Sequence, residues 1–175
     1  RVFAFAHCRV VLCVVVDVPF SSRPWALPVL FRLYRSKKHC ANKGIKFRKK
    51  TELGREVVDL VAEWFPDERI ELAADCAYCN STLLDGLARN VVLFGSMRPD
   101  AVLTDRPVPQ ARSRKGGRPA ARGAPLPKPQ ELAADPSVPW KKCKAFLYQK
   151  LRTVEYKAID AQWYRGAGTG IVLIV

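Results

Sequence analysis

Residues 69–84 read Arg69-Ile-Glu-Leu-Ala-Ala-Asp-Cys-Ala-Tyr-Cys-Asn-Ser-Thr-Leu-Leu84 and predict a strand followed by a turn and a short helix. Ile70, Leu72 and Ala74 alternate along a short apolar run, as in a β-strand, and the run ends on Asp75. In open sheets flanked by helices, the carboxyl ends of parallel strands leave a crevice where ligands and catalytic groups gather. An acid at this position can bind a divalent metal ion through its carboxylate oxygens. Asp75 is therefore the first candidate site residue.

The segments on both sides of this strand predict an α/β arrangement. Thr51 is the predicted N-cap of a helix that ends at Pro66, and its apolar residues recur at helical spacing: Leu53, Val57, Leu60, Val61 and Trp64. Downstream, Asn80 or Ser81 can cap a short helix, and Val91-Val-Leu-Phe94 is typical of a buried strand. The order helix, strand, helix, strand indicates a sheet with crossover helices.

Four further blocks carry a family resemblance. They are Trp25-Ala-Leu-Pro-Val-Leu-Phe-Arg-Leu-Tyr-Arg-Ser-Lys-Lys38, Glu63-Trp-Phe-Pro66, Ala74-Asp-Cys-Ala-Tyr78 and Gly95-Ser-Met-Arg-Pro-Asp-Ala101. With them the chain resembles, collinearly over residues 9–165, the DDE superfamily transposases of bacterial insertion sequences. The resemblance implies a ribonuclease H-like fold, a mixed sheet flanked by helices, in which two Asp and one Glu hold divalent metal ions that cut and rejoin DNA.

Within this resemblance, Asp75 matches the second carboxylate, as a catalytic residue and metal ligand at the end of the fourth strand. The family's first Asp lies upstream of the strand that residues 9–16 resemble, and its Glu follows the strand that residues 171–175 resemble. We therefore expect a central fragment of a transposase, with an incomplete sheet and without DNA cleavage or strand transfer when alone. Mg²⁺ or Mn²⁺ is implied for the intact parent, with no tight binding expected here.

Asp17 is a candidate for the missing first acid, as a partner of Asp75, because it follows the strongly apolar run Val10–Val16, which is predicted to be a buried central strand. The family places this strand third, and its equivalent of Asp17 takes no part in the metal site. Capping of the turn at Pro19-Phe-Ser-Ser22 is therefore the favoured role of Asp17.

A run of basic residues precedes the first predicted helix. From Arg32 to Lys50 there are nine Lys or Arg and no acid, in a chain of net charge +14. Such a run can neutralise several phosphates, with sequence-tolerant and salt-sensitive binding. The predicted DNA contacts in this run are Arg32, Arg35, Lys37, Lys38, Lys49 and Lys50. The alternative is a solvated surface without a partner.

A second basic region is rich in proline. Residues 106–130 carry seven Lys or Arg and no acid, and eight of the thirteen prolines fall between Pro107 and Pro139. This composition predicts a linker or insertion with little core. Within it, Gly116-Gly-Arg-Pro119 looks like a minor-groove hook whose Arg118 enters a narrow groove. A flexible solvated linker is the alternative, and the two readings are compatible.

The remaining chain predicts strands at Trp140–Tyr148 and Thr153–Lys157, with Gln149–Arg152 as the turn, and a last strand at Ile171–Val175. The pair Trp163-Tyr164 is predicted to lie in the core rather than to stack on DNA. The expected organisation is a partial ribonuclease H-like core at residues 1–104, a basic Pro-rich linker or insertion at 105–139, and remaining core strands at 140–175.

Arg98 and Asp100 lie in a Gly-x-x-Arg-x-Asp block that the family also has. The resemblance implies that Arg98 contacts a DNA phosphate near the metal site. Asp100 is expected to be a turn residue rather than a third metal ligand.

Cysteine spacing defines a rival function. Cys76 and Cys79 form a C-x-x-C after a strand, a spacing found in zinc half-sites and redox pairs. A structural zinc site needs more ligands, and the sequence has no second C-x-x-C or H-x-x-x-H; His39-Cys40 could contribute only if the fold brought it near. The six cysteines are therefore expected to be buried thiols in a reducing cytoplasm.

Length and composition fit one globular domain of 175 residues, 49% of them hydrophobic. No run reaches the ~20 apolar residues that span a bilayer. We expect a bacterial cytoplasmic protein that is associated with the nucleoid. Its expected partner is DNA, at the transposon ends and at the target, and the parent protein could be a homo-oligomer. The alternative is a non-catalytic basic nucleic-acid-binding module or a pseudogene remnant.

Overall fold

The computed structural model describes residues 6–107, 122–147, 150–163 and 170–174. These residues form ten strands: β1 Cys8–Val16, β2 Trp25–Tyr34, β3 Ile70–Ala74, β4 Val91–Gly95, β5 Leu103–Thr104, β6 Pro125–Leu126, β7 Lys141–Leu147, β8 Lys150–Tyr156, β9 Ala158–Trp163 and β10 Gly170–Ile174. Their four helices are α1 Lys37–Lys43, α2 Lys50–Trp64, α3 Ser81–Leu84 and α4 Pro129–Ala134. None of these helices has the length and apolarity needed to cross a membrane.

The chain divides into two compact units. The first contains the described residues up to Tyr78 together with Gly86–Gly95, and the second contains Cys79–Asp85 and the described residues from Ser96 onward. The division of the sequence into core, insertion and remaining strands stays a prediction.

The first unit is built on the antiparallel β1–β2 hairpin, against which α2 packs. The pairing of the two strands shifts between Leu12 and Cys13, and Pro28 lies opposite Cys13. Because proline lacks the N–H that a regular ladder needs, it is tolerated at such a bulge. The bulge therefore allows a long strand to contain a proline.

The predicted buried central strand at residues 10–16 is wrong. Within the described chain β1 pairs with β2 alone, and Val11, Val14 and Val15 are each at least 46% exposed. The expected single sheet is wrong as well, because the described strands form four separate sheets, three with two strands and one with four. The mixed α/β class is confirmed, whereas the ribonuclease H-like arrangement and its incompleteness stay predictions.

Helix α2 matches its prediction except at its start. Lys49, rather than Thr51, is the N-cap residue, and its N–H donates to Glu52 Oε2 at 2.8 Å. Glu52 thus satisfies a backbone donor that the helix leaves free. The helix ends before Pro66, as expected, and its buried residues are Leu53, Gly54, Val57, Val58 and Ala62.

Strands β3 and β4 pair in parallel, beginning with Ile70 opposite Val91. The segment between them includes α3, which Asn80 caps by accepting the Thr82 N–H at 2.9 Å. The parallel pairing and the order α2, β3, α3, β4 confirm the crossover that the sequence predicted.

The second unit contains the four-stranded sheet β10-β9-β5-β6. Its buried core consists of Leu103, Leu132 and Ala161, and the side chains packed against it are Met97, Leu126, Val138, Ile159 and Trp163. Three of these eight residues come from the predicted insertion, so the expectation of little core there is wrong for residues 122–139. The core position of Trp163 is confirmed, while Tyr164 lies outside the described residues.

A buried lysine closes α4. Lys157 is 2% exposed, and its Nζ donates to the carbonyl oxygens of Leu132, Ala133 and Asp135 at 3.1, 3.2 and 2.6 Å. The Trp140 ring centroid lies 4.6 Å from the same ammonium. The Lys157 ammonium group therefore donates hydrogen bonds to carbonyl oxygens at the C-terminal end of α4, where a cation is favourable.

Strands β7 and β8 form an antiparallel two-stranded ribbon and confirm both predicted strands. The predicted turn at Gln149–Arg152 is too long, because Lys150–Arg152 belong to β8. Residues 148–149 lie outside the described chain.

Candidate functional site

Asp75 directly follows β3, at the carboxyl end of the parallel β3–β4 pair, as the sequence predicted. The chain turns here, and the Tyr78 N–H donates to the Asp75 carbonyl oxygen at 2.8 Å. The Cys76 thiol donates to the Asp75 carboxylate and, with the Ala77 N–H, holds the pKa of Asp75 below its ordinary value. The exposed carboxylate is therefore ionised at neutral pH, which is the state a metal ligand needs.

The turn that carries Asp75 is anchored on α2 by Tyr78. The Tyr78 ring packs against Gly54, which is buried on the helix. A β carbon built at Gly54 would lie 2.9 Å from Tyr78 Cε1, a separation that real side chains essentially never show. The glycine therefore permits the close approach of the ring to the helix backbone.

A complete metal site is not assembled by the residues that the structure describes. Among them no group of three or more His, Cys, Asp or Glu could hold a metal ion. Asp17 is exposed just after β1, and the turn that follows is held by Ser21, whose N–H donates to the Val18 carbonyl oxygen at 3.1 Å. Two-metal catalysis needs several ligands for each ion. The described residues alone do not provide them, so no metal-dependent step is derived from Asp75.

Two arginines of the basic run are paired with one acid. Arg32 Nε donates to Glu56 Oε1 at 2.6 Å, and Arg48 Nη1 contacts Glu56 Oε2. These contacts, that of Arg32 foremost, hold the pKa of Glu56 below its ordinary value. Much of the charge of Arg32 and Arg48 is thus compensated within the protein. The sequence did not reveal this pair, because nothing local indicates that α2 packs beside β2.

Two lysines of the basic run lie over aromatic rings. The ring centroids of Tyr34 and Phe47 are 6.2 Å apart, with an edge-to-face geometry. Lys37 Nζ lies 5.5 Å from the Phe47 centroid, and Lys50 Nζ lies 5.2 Å from that of Tyr34. Such cation–π contacts orient an ammonium group without removing it from solvent. Both lysines are exposed and remain accessible to an anionic partner.

Helix α1 fixes the position of two further predicted contacts. Ser36 caps its start, since Ser36 Oγ accepts the His39 N–H at 3.2 Å, and Gly44 ends it with a φ of 64°. Lys37 and Lys38 therefore lie in the first turn of a defined helix, and both are exposed.

A pocket of about 250 Å³ lies beside these residues and is lined by Arg32, Leu33, Arg35, Cys40, Lys46, Arg48 and Leu53. Four of its seven lining residues are cations and none is an acid. Among the described residues, no acid forms an ion pair with Arg35 or Lys46. We define the basic surface as Arg35, Lys37, Lys38, Lys46, Lys49 and Lys50, all in the first unit and all exposed.

Arg98 lies in the second unit and forms a bidentate ion pair with Asp100. Arg98 Nε and Nη2 donate to Asp100 Oδ1 and Oδ2 at 2.9 and 3.0 Å. Asp100 therefore neutralises Arg98 besides taking part in the turn, where the Ala101 N–H donates to the Arg98 carbonyl oxygen at 3.1 Å. Both side chains are more than half exposed. Arg118 lies outside the described residues.

All six cysteines are free thiols. Cys40 is buried, but Cys13, Cys76 and Cys143 are exposed, so the expectation of buried thiols is wrong for these three. In the described part of the chain, the C-x-x-C residues Cys76 and Cys79 belong to no group of three potential metal ligands. The zinc hypothesis thus gains no further ligand among these residues, and the redox hypothesis stays a prediction.

Neither the search of curated proteins nor the search of solved structures gives a match. A family model described as "DDE superfamily endonuclease" matches residues 2–168. The matched range includes the Asp75 turn, α2 and the whole basic surface. Since this match covers nearly all of the 175 residues, the chain belongs to the DDE superfamily endonucleases.

Proposed function

We propose that this chain is the DNA-engaging part of a transposase, in which Asp75 supplies one carboxylate of a divalent-metal site. Membership of the family implies a transposase-type nuclease with DNA as substrate. DDE superfamily nucleases generally use divalent metals. The single observation that supports the proposal is that α2 carries Lys50 of the basic surface and also contacts Tyr78, three residues after Asp75. Tyr78 packs on Gly54 of this helix, and Lys50 begins it.

The basic surface has the chemistry of a phosphate-binding surface. Its six cations are exposed, and the neighbouring acid Glu56 is occupied by Arg32 and Arg48. Each phosphate that a Lys or Arg neutralises releases condensed counterions, which makes binding salt-sensitive and independent of sequence. Contacts of this kind position the backbone of DNA rather than read its bases. The surface would therefore hold a strand while the metal site, once its other ligands are present, acts on it.

The metal chemistry belongs to the complete site. Asp75, together with further ligands, would hold a divalent metal ion, which would supply Lewis-acid chemistry for phosphodiester cleavage. The contribution of this chain is an ionised, exposed carboxylate on a turn that α2 holds in place.

The binding proposal is tested by the salt dependence of affinity for a random DNA duplex. We expect the affinity to fall on the order of a hundredfold or more between 50 and 200 mM salt, as for about five or six phosphate contacts. Replacing Lys37, Lys38, Lys49 and Lys50 together by Gln should reduce the log–log slope by roughly 3 to 4. Fluorescence anisotropy of a labelled duplex measures both quantities.

A matched control removes four exposed cations elsewhere: Arg23, Arg69, Arg89 and Lys128, each replaced by Gln. The net charge of this variant equals that of the test variant, so a general loss of positive charge affects both equally. A salt slope that falls equally in the two variants would contradict a localised basic surface. Absence of DNA binding by the parent chain would contradict the proposed function itself.

A further inference from the structure

The β7–β8 ribbon of the second unit is exposed on both faces. None of the fourteen residues in its two strands is buried, and only Ala145, Val154 and Tyr156 are half-buried. An isolated two-stranded ribbon is marginally stable in water, because it buries little apolar surface. A ribbon of this kind therefore gains most from a partner that covers it.

The ribbon is strongly basic. Its strands carry five cations, Lys141, Lys142, Lys144, Lys150 and Arg152, against the single acid Glu155, a net charge of +4. Lys142 Nζ lies 3.1 Å from Glu155 Oε1, but both side chains are more than half exposed, so this pair is weak. The other four cations form no ion pair with an acid in the described part of the chain.

The strand register places these charges on both faces. Residues directly opposite each other share a face, and neighbours along a strand alternate. Lys144 lies opposite Thr153 on one face, whereas Arg152 lies opposite Ala145 on the other. Positive charge is therefore presented on two sides of the ribbon.

The far end of the ribbon carries an exposed apolar pair. Phe146 lies directly opposite Leu151, and the two residues are 72% and 65% exposed. They share a face with Lys144, two residues before Phe146. An exposed apolar pair on a basic ribbon is suited to a groove whose walls are negative and whose floor has apolar groups.

We propose that the β7–β8 ribbon lies in the major groove of duplex DNA, with Phe146 and Leu151 facing the base edges and its cations on the neighbouring phosphates. This site lies outside the basic surface, and its proposal rests on DNA being the substrate of the chain. The major groove, about 12 Å wide, admits a two-stranded ribbon, and thymine methyl groups on its floor make apolar contacts. Seven paired residues span roughly 20 Å, enough to follow the groove for several base pairs.

Charge favours DNA over the other large partner, a second copy of this chain. A copy of net charge +14 would repel a ribbon of net charge +4, whereas the phosphates of DNA attract it. DNA is therefore the occupant that the ribbon fits.

The test compares three variants of the full chain in DNA binding and in dimethyl sulfate footprinting. The first variant replaces Lys144, Lys150 and Arg152 by Gln, the second replaces Phe146 and Leu151 by Ser, and the control replaces Arg23, Arg69 and Arg89 by Gln. Dimethyl sulfate reports guanine N7 in the major groove separately from adenine N3 in the minor groove. Circular dichroism of each variant confirms that it is folded.

We expect the parent chain to protect guanine N7 over a few base pairs, and both ribbon variants to lose this protection. The charge variant should also lose about 3 from the log–log salt slope, and the control should keep the footprint. Unchanged guanine N7 protection in both ribbon variants, or protection of adenine N3 instead, would overturn the ribbon proposal while leaving the proposed function intact. A parent chain that binds no DNA would overturn both, and sedimentation showing ribbon-dependent dimers would assign the ribbon to a second copy.

An independent readout uses the exposed thiol of Cys143 on β7. Iron–EDTA tethered there should cut bound DNA, because hydroxyl radicals act only near their source. In the variant with Ser at Phe146 and Leu151, the same tether should cut several-fold less. Cutting from Cys143 that is the same with and without the Phe146 and Leu151 substitutions would contradict the placement.

Discussion

The Tyr78 ring lies against the backbone of Gly54, so closely that a β carbon at Gly54 would be 2.9 Å from Tyr78 Cε1. This contact links the turn after β3, which carries Asp75, to the helix that begins at Lys50. Helix α2 thereby contacts the turn of a carboxylate expected to bind metal and also carries Lys50 of the surface expected to bind DNA.

Gly54→Ala should destabilise the chain, although alanine is the better helix former. The methyl group gains about 1 kcal/mol of helix propensity, but forcing the Tyr78 ring away costs typically 1–3 kcal/mol. We expect a net loss on the order of 1 kcal/mol and a fall in Tm of about 2–4 °C. Thermal unfolding followed by circular dichroism measures it.

The matched background for this substitution is Tyr78→Ala. Without the ring, Gly54→Ala should become neutral or stabilising, since only the propensity gain remains. An equal loss of stability in both backgrounds would show that the ring does not cause the effect.

Glu56→Gln should have opposite effects on stability and on DNA affinity. The substitution removes the ion pairs to Arg32 and Arg48, which at this exposure stabilise the fold by on the order of 1 kcal/mol. It also frees two guanidinium groups beside the basic surface, so DNA affinity and its salt dependence should rise. An affinity that falls or stays constant would contradict the compensation of these arginines by Glu56.

The stability effect of Glu56 should depend on pH. Arg32 and then Arg48 lower the pKa of Glu56 in the folded protein, so the carboxylate binds its proton less readily there than in the unfolded chain. This contribution to stability is complete above the ordinary pKa of Glu and is lost as the pH falls through the lowered folded value. The stability difference between the parent and Glu56→Gln should therefore shrink below about pH 4. Urea unfolding at a series of pH values tests this, and a difference that grows in acid would contradict it.

Lys157→Met should destabilise the chain by about 2–3 kcal/mol. The carbonyl oxygens of Ala133 and Asp135 lose the Lys157 donor, while that of Leu132 keeps only the Asp135 N–H at 3.4 Å. Each unsatisfied buried polar group costs about 1–3 kcal/mol, reduced where water can enter. Met keeps the length of the side chain, so the cavity term is small. Lys141→Met on the exposed ribbon is the control and should change stability by less than about 0.5 kcal/mol. Similar urea midpoints for the two variants would contradict the capping role of Lys157.

The purified chain should show no Mg²⁺- or Mn²⁺-dependent nicking of supercoiled plasmid. Asp75 is the only residue assigned to the metal site, and a lone carboxylate binds these ions weakly. Metal-dependent nicking that disappears in Asp75→Ala would contradict this expectation and would call for a search for partner acids, beginning with Asp17.

The local elements of the fold could be predicted from the sequence because their signals are local. The helical spacing from Leu53 to Trp64, the alternation from Ile70 to Ala74 and the cap at Asn80 each act over a few residues. The position of Asp75 follows from these signals together. The family resemblance, based on the same blocks, agrees with the family match.

The long-range arrangement could not be predicted in the same way. The apolar run at residues 10–16 suits a central strand or a half-exposed hairpin equally well, and only its pairing with β2 decides. The buried role of Lys157 depends on carbonyls more than twenty residues away. The proline content of residues 106–139 predicts little core there, yet Leu126, Leu132 and Val138 pack in the core of the second unit.

DNA bound by this chain should pass beside Asp75, and the neighbouring thiol of Cys76 can report its position. Cys76 is exposed, and iron–EDTA tethered to it generates hydroxyl radicals next to the Asp75 carboxylate. The measurement is the cleavage of bound duplex by a variant in which Cys76 is the only exposed cysteine, compared with an equivalent variant labelled at Cys13. We predict strong cutting from Cys76 that is lost when Lys37, Lys38, Lys49 and Lys50 are replaced by Gln. DNA that is bound but cut no more from Cys76 than from Cys13 would contradict the account.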